Sequence, residues 1–319
     1  MQVKEKIENY LDDVKCLAIG GHIQPDGDCI GAVFGLYAYI RKNYPEIAAT
    51  LYLETVPERF RYLRYIENVA SEPDEEAVYD LYIQLDSGSE DRMGSFAKCF
   101  QNSKRTISID HHISNTKYAD VNIVYPEKSS ASELLFEMLD CDKIDVDVAS
   151  AIYTGIVCDS GAFKYPNTTA RTMEIAGILM EKGIPFTKIA DDAFYSRTFV
   201  QNQILGRALM ESIVFFDGKC IVSVIRRSTM KFYEIENSDL EGIVENLRTT
   251  KGIECAIFMY EIGELEYKVS MRSNEIVDVS KIAEYFGGGG HVRAAGFTLH
   301  GSMYDVINNI SQQIEIQLA

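Results

Sequence analysis

No stretch of this chain approaches the roughly 18 consecutive apolar residues that a bilayer-crossing helix needs. The opening segment MQVKEKIENYLDDVK is charged and helix-like, and it lacks the apolar core and cleavage site of a signal peptide. A cytoplasmic location without membrane contact is therefore expected. Cysteine pairs are also missing: the seven cysteines are odd in number and include no CxxC. That pattern argues against a disulfide framework and against a thiolate zinc site. Basic charge is scarce, with 31 Lys+Arg against 48 Asp+Glu and a net charge of −17. Residues 1–205 hold 20 basic and 32 acidic side chains, and residues 206–319 hold 11 and 16, so neither part is cationic. A protein so charged does not grip duplex nucleic acid or a long strand electrostatically. A small phosphate-bearing ligand remains compatible if cations are focused in one cleft.

What is present belongs to a soluble globular protein: 319 residues, 46% hydrophobic and 25% charged, enough for one large or two ordinary domains. The N-terminal half alternates short apolar runs with helix-patterned segments. CLAIGGH, ATLYLE, DLYIQLD and RTISID read as strands, and VNIVY as a weaker one. CIGAVFGLYAYIRKNY, SASELLFEMLD, DVDVASAIYTGIVCD and TARTMEIAGILMEKG read as helices, the last closed by Lys182-Gly183. This alternation predicts an α/β fold with a mainly parallel sheet flanked by helices over residues 1–185. A helical linker is expected over 186–210. A smaller α+β domain with a mixed sheet is expected over 211–319. Its expected features are a hairpin at Asp217-Gly218, a second turning near Ile262-Gly263-Glu264, and helices over 240–249, 278–285 and 303–317.

Four of the five histidines fall in three short segments, each among carboxylates or glycines. They are His22 in GGHIQPDGD, His111 and His112 in SIDHHIS, and His291 in GGGGHVRAAG. Two further aspartates end apolar stretches, Asp86 in DLYIQLDSGS and Asp159 in TGIVCDSGAF. Imidazoles and carboxylates delivered from the ends of several strands are the ligand set of paired hard divalent cations. In parallel sheets that edge is also where ligands bind.

Each feature has an ordinary reading as well. PDGD (Pro25 to Asp28) is a common surface turn, and Asp86 and Asp159 fit helix-cap positions. Gly31 and Gly35 let the following helix approach the sheet, or are simply small packing positions. Consecutive imidazoles after a strand point to opposite sides, so that one of His111 and His112 binds metal while the other faces substrate. Asp110 is placed to hold an imidazole tautomer. The run Gly287–Gly290 is a candidate phosphate cradle, with Arg272 and Arg293 as candidate clamps.

Taken in order, GGHIQPDGDCIGA, IQLDSGS, IDHH and TGIVCDSGAF resemble the four motifs of the DHH phosphoesterase superfamily, and GGGGHVRAAG resembles the signature of its DHHA1 domain. The resemblance runs the length of the chain and is nearest to the nanoRNase/pAp phosphatase group, which includes relatives cleaving cyclic di-AMP or its linear product pApA. It implies two Mn²⁺ ions, with Co²⁺ or Mg²⁺ as substitutes. His22, Asp26 and Asp86 would hold one ion. Asp28, Asp86, His111 and Asp159 would hold the other, with Asp86 bridging. His112 would face the scissile phosphate, with Asp110 supporting His111. Arg272, Ser273, Gly288, Gly289, Gly290, His291 and Arg293 would form the substrate face of the C-terminal domain. The activity implied is hydrolysis of short oligonucleotides or pAp by metal-activated water. The alternatives are a cyclic di-AMP phosphodiesterase, a family II pyrophosphatase or a non-catalytic nucleotide-binding module. A homodimer through the N-terminal domain is a further family-based expectation.

Overall fold

The first sheet places the site. In a computed structural model, which describes residues 3–318, six strands lie in the order β3-β2-β1-β4-β5-β6 and all neighbours run parallel. The strands are β1 (Cys16–Gly20), β2 (Ala48–Tyr52), β3 (Val69–Ala70), β4 (Leu81–Leu85), β5 (Thr106–Asp110) and β6 (Val121–Val124). The order reverses between β1 and β4, so the crevice for ligands lies beyond their carboxyl ends. The pleat sends Leu17, Ile19, Ile83 and Ile109 into one large core, and Ala18 and Tyr82 into a smaller aromatic one with Tyr52, Phe96 and Phe100.

Helices α1 (Gly27–Asn43), α3 (Ala131–Met138), α4 (Val146–Asp159) and α5 (Ala170–Glu181) belong to the large core; the short α2 (Ala97–Gln101) belongs to the aromatic side. Their starts follow from sequence. Asp26, Ser130, Asp145 and Thr169 each accept a first-turn N–H. Gly183, at φ +81°, ends α5 beyond Lys182. Of the two readings of Gly31, the small packing position holds, and its neighbour is a helix and not the sheet. A Cβ there would lie 2.5 Å from the Gly155 nitrogen, so the glycine permits close contact of α1 with α4. The helix-like opening segment forms only a 3-10 turn at Ile7–Tyr10 among the described residues; its first two residues lie outside them.

One compact unit ends at Ser196 and a second begins at Arg197. Helix α6 (Phe186–Ala190) belongs to the first and α7 (Phe199–Met210) to the second. The second unit holds a mixed sheet in the order β11-β12-β10-β9-β8-β7. Its strands are β7 (Ile213–Phe215), β8 (Cys220–Ile225), β9 (Cys255–Gly263), β10 (Glu266–Ser273), β11 (Gly289–His291) and β12 (Ala294–His300). Only β8 and β9 pair in parallel. Both expected hairpins are there, the second turning at Leu265 with φ +53°. Helices α8 (Arg227–Tyr233), α9 (Ile243–Arg248), α10 (Val279–Tyr285) and α11 (Met303–Leu318) complete it. The helix expected over 240–249 is interrupted: a 3-10 turn ends at Leu240, and α9 starts after Gly242, whose φ is +78°. The glycine run is not a free loop, because Gly289–His291 pair with β12 as an edge strand.

Candidate active site

Eight of the side chains singled out in the N-terminal half meet beyond the carboxyl ends of β1, β4 and β5. His22 follows β1 by two residues, Asp86 immediately follows β4, and Asp110 ends β5 just ahead of His111. Asp26 and Asp28 open α1, and Asp159 is the last residue of α4. His22 Nε2 lies 3.7 Å from both Asp26 Oδ2 and Asp86 Oδ2. His111 Nε2 lies 3.6 Å from Asp86 Oδ1 and 3.7 Å from Asp28 Oδ2 and Asp159 Oδ2. These separations are too long for hydrogen bonds. They suit pairs of ligands converging on one ion with bonds of about 2.0–2.2 Å. Asp86 thus offers one oxygen to each group.

Asp86 carries further marks of a functional position. Its backbone is left-handed, with φ +54°, a conformation that costs a non-glycine residue about 1–3 kcal/mol. Its Oδ1 is buried and has no hydrogen-bond partner, an acceptor that a bound cation or an ordered water would satisfy. Asp159 is similarly costly, since a carboxylate at a helix C-terminus opposes the dipole.

Electrostatics point the same way. Burial, with Asp86 and Asp159 nearby, raises the Asp28 carboxyl well above the ordinary range. Burial and Asp86 push Asp159 up to about 6 against the pull of His111. Burial would lower His22, yet Asp26, Asp86 and the Ile23 carbonyl outweigh it and push the ring up to about 10. Carboxylates crowded out of water draw in positive charge, either protons or a metal. A donor set of imidazole nitrogen and carboxylate oxygen fits a hard or borderline divalent cation. These side chains could therefore hold a metal ion.

An outer layer fixes these side chains, and most of it carries no sequence signal. The Ala131 and Ser132 N–H groups donate to the two Asp28 oxygens at 2.6 and 3.0 Å. The Lys128 carbonyl lies 3.3 Å from His111 Nδ1, which favours the tautomer with its lone pair on Nε2. Asn167 Nδ2 donates to the carbonyls of Ser129 and Asp159 and lies 3.5 Å from Asp159 Oδ2. Cys29 Sγ accepts the His22 backbone N–H at 3.3 Å. Capping residues could be anticipated from Ser130, but nothing around Lys128 or Asn167 marks them in one sequence.

His111 and His112 do not point to opposite sides. Both approach Asp86 Oδ1 at 3.6 Å, with ring centroids 4.9 Å apart, because they lie beyond the end of β5 where pleat alternation has ceased. Asp110 is fully engaged. It accepts the His111 backbone N–H at 2.8 Å, His112 Nδ1 at 2.7 Å and Asn115 Nδ2 at 2.7 Å. Its carboxylate therefore orients the ring of His112 and touches His111 only through the main chain. The Asp110 bond is the main reason His112 is pushed up to about 9, against burial. Its Nε2 is left for another partner.

The second unit brings its candidates together around β10, β11 and β12. Arg272 and Ser273 end β10, and Arg272 pairs in register with Ala294. Arg293 spends its guanidinium on the loop after β10, donating to the Val277 and Glu275 carbonyls and to Ser273 Oγ. Glu254 holds the same loop by accepting the N–H groups of Glu275, Ile276 and Val277. The cradle reading loses two donors, because Gly287 and Gly288 N–H close α10 by bonding the Glu284 and Ala283 carbonyls. Gly288 is required by close approach, since a Cβ there would lie 2.3 Å from the Gly296 oxygen. Gly289, Gly290 and His291 are exposed on the edge strand.

Among the described residues, no helix is long and apolar enough to cross a membrane. Residues 17–156 match the model of the DHH family, N-terminal domain, and residues 217–318 match that of the DHHA1 domain. The chain is 29% identical to the bifunctional oligoribonuclease and PAP phosphatase NrnA of Thermus thermophilus, over 89% of this chain and 84% of the relative. It is 26% identical to the protein of the same name from Bacillus subtilis, over 92% of each. An exopolyphosphatase-related protein from Bacteroides fragilis shares the fold, with a TM-score of 0.87 at 24% identity over 97% of this chain and 94% of that one.

Proposed function

Because this chain belongs to the DHH family and is accordingly a hydrolase of phosphoester bonds, we propose that it is an Mn²⁺-dependent enzyme cleaving short oligonucleotides, including pApA, and pAp. The observation that carries this reading is the division of the Asp86 oxygens between His22 on one side and His111 on the other. His22, Asp26 and Asp86 would hold one ion, and Asp28, Asp86, His111 and Asp159 the second. When bound, the pair supplies an activated water near neutral pH and positive charge for the phosphoryl oxygens.

The chain's own groups supply the rest. His112 is kept protonated by Asp110, and its Nε2 delivers a proton to the leaving oxygen. Asp110, an ionised carboxylate throughout, sets the angle of that ring and does not itself react. Water attacks phosphorus on the face opposite the leaving oxygen, and ground-state positioning comes from contacts remote from the break. Arg272, Ser273 and His291, with Gly289 and Gly290, would serve as that remote face in the second unit. Arg293 would act there by holding the loop at Ser273. The acidic surface suits this substrate class: a few nucleotides can be held by focused cations where a long polymer would be repelled. The names of the Thermus and Bacillus relatives agree with this class.

The test is release of AMP from pApA by the purified protein, with Mn²⁺ and with excess chelator. Rapid release that depends on Mn²⁺ is expected. No release under either condition would reject the short-oligonucleotide reading.

A further inference from the structure

We propose that Arg92 is a phosphate-binding residue of this site, its guanidinium held beside His22 with donors available to substrate. The proposal rests on the phosphoesterase reading above.

The segment carrying Arg92 is tied to the segment carrying His22. The Ile23 N–H donates to the Arg92 carbonyl at 2.7 Å. Gly94, with φ +56°, lies directly over Ile23, where a Cβ would meet the Ile23 side chain at 2.5 Å. The backbone of Arg92 is thereby held beside the cluster, while its side chain remains exposed. Arg92 Nη2 reaches to 3.1 Å from His22 Nδ1.

Counting donors at that nitrogen decides what the guanidinium can do. His22 Nδ1 also lies 2.8 Å from the Ile23 carbonyl, and His22 Nε2 faces Asp26 and Asp86. If Nε2 presents its lone pair to a cation, the proton of the neutral ring sits on Nδ1 and goes to the Ile23 carbonyl. A protonated Nδ1 cannot accept from Arg92. The guanidinium, always charged and rich in donors, is then left without that acceptor at the rim of the pocket. A phosphate oxygen is the complementary partner, and a bidentate contact is within the reach of guanidinium geometry. The charge balance calls for it as well. Asp26, Asp28, Asp86, Asp110 and Asp159 repel an approaching phosphate, and a fixed cation at the rim offsets part of that repulsion.

The experiment uses the full chain saturated with Mn²⁺, as wild type, Arg92→Ala and Arg92→Lys. Bound Mn²⁺ is counted, AMP affinity is measured by titration calorimetry, and KM and kcat are compared for pApA and for ApA, which lacks the 5′-phosphate. Arg92→Ala should weaken AMP binding and raise KM for pApA by about tenfold or more, with Mn²⁺ content unchanged and partial recovery in Arg92→Lys. An equal rise in KM for ApA would place Arg92 on the scissile phosphate, and a rise for pApA alone on the terminal one. AMP affinity and KM within about twofold of wild type would overturn the proposal. Loss of Mn²⁺ from Arg92→Ala would also overturn it, by showing that Arg92 serves only to hold His22. Wild type that binds AMP and Mn²⁺ but cleaves neither dinucleotide would defeat the functional reading instead, and the AMP affinities would still decide the role of Arg92.

Discussion

Gly31 of α1 lies against the backbone of Gly155 in α4, so close that a Cβ on Gly31 would come within 2.5 Å of the Gly155 nitrogen. The contact brings the helix that presents Asp28 against the helix that ends in Asp159. Both carboxylates lie 3.7 Å from His111 Nε2. Backbone cannot move aside as a flexible side chain can. Gly31→Ala should therefore destabilise the first unit by about 1–3 kcal/mol and reduce metal affinity. Gly177 in α5 is the internal control, since a Cβ there meets nothing within 4 Å. Gly177→Ala should stabilise by about 0.4–1 kcal/mol. Denaturant melts of the two variants check the pair, and equal effects would refute the packing argument.

Asp110 is expected to matter through His112 alone. Asp110→Asn keeps a neutral acceptor for His112 but turns an amide toward Asn115 Nδ2, which is itself a donor at 2.7 Å from the present oxygen. The ring loses both its orientation and the charge that keeps it protonated. A fall in kcat of about 10–100-fold is expected, with Mn²⁺ content unchanged. Steady-state kinetics alongside metal analysis separate this from a ligand role, in which Mn²⁺ would be lost.

Much of this arrangement was legible in the sequence because these side chains follow strand ends, and strand ends announce themselves by apolar runs stopping at His22, Asp86 and Asp110. The parallel sheet followed from the same alternation. What escaped notice depends on contacts between distant segments. Nothing near Lys128 shows that its carbonyl supports His111, and nothing near Asn167 shows that it supports Asp159. The expectation for His111 and His112 assumed strand geometry past the point where the strand had ended. Glycines 287–290 read as a loop because composition alone does not reveal a short edge strand, whose partner β12 supplies the pairing.

Stability should depend on pH through Glu137. Burial would raise its carboxyl, but hydrogen bonds from Lys128 and Arg171 outweigh it and hold the group below the ordinary value of about 4.5. A carboxyl lowered in the folded state contributes stability that is present above the ordinary range and is lost as pH falls through its folded value. Lys128 Nζ, 2.6 Å away and buried, would be left with a poorer partner in Glu137→Gln. That variant should be less stable than wild type at pH 7 by about 2–4 kcal/mol. The difference should shrink as pH drops below 4.5. Urea unfolding of both proteins from pH 7 to pH 3 would follow it, and a gap independent of pH would contradict the assignment.

The central claim is that Asp86 is shared between two cations, and the most direct test is to count them. Mn²⁺ per chain, measured by elemental analysis after saturation and removal of free metal, should be two in the wild type. It should fall to one or none in Asp86→Ala, with the fold retained by circular dichroism. A wild-type protein holding a single ion or none, or an Asp86→Ala variant still holding two, would contradict the account.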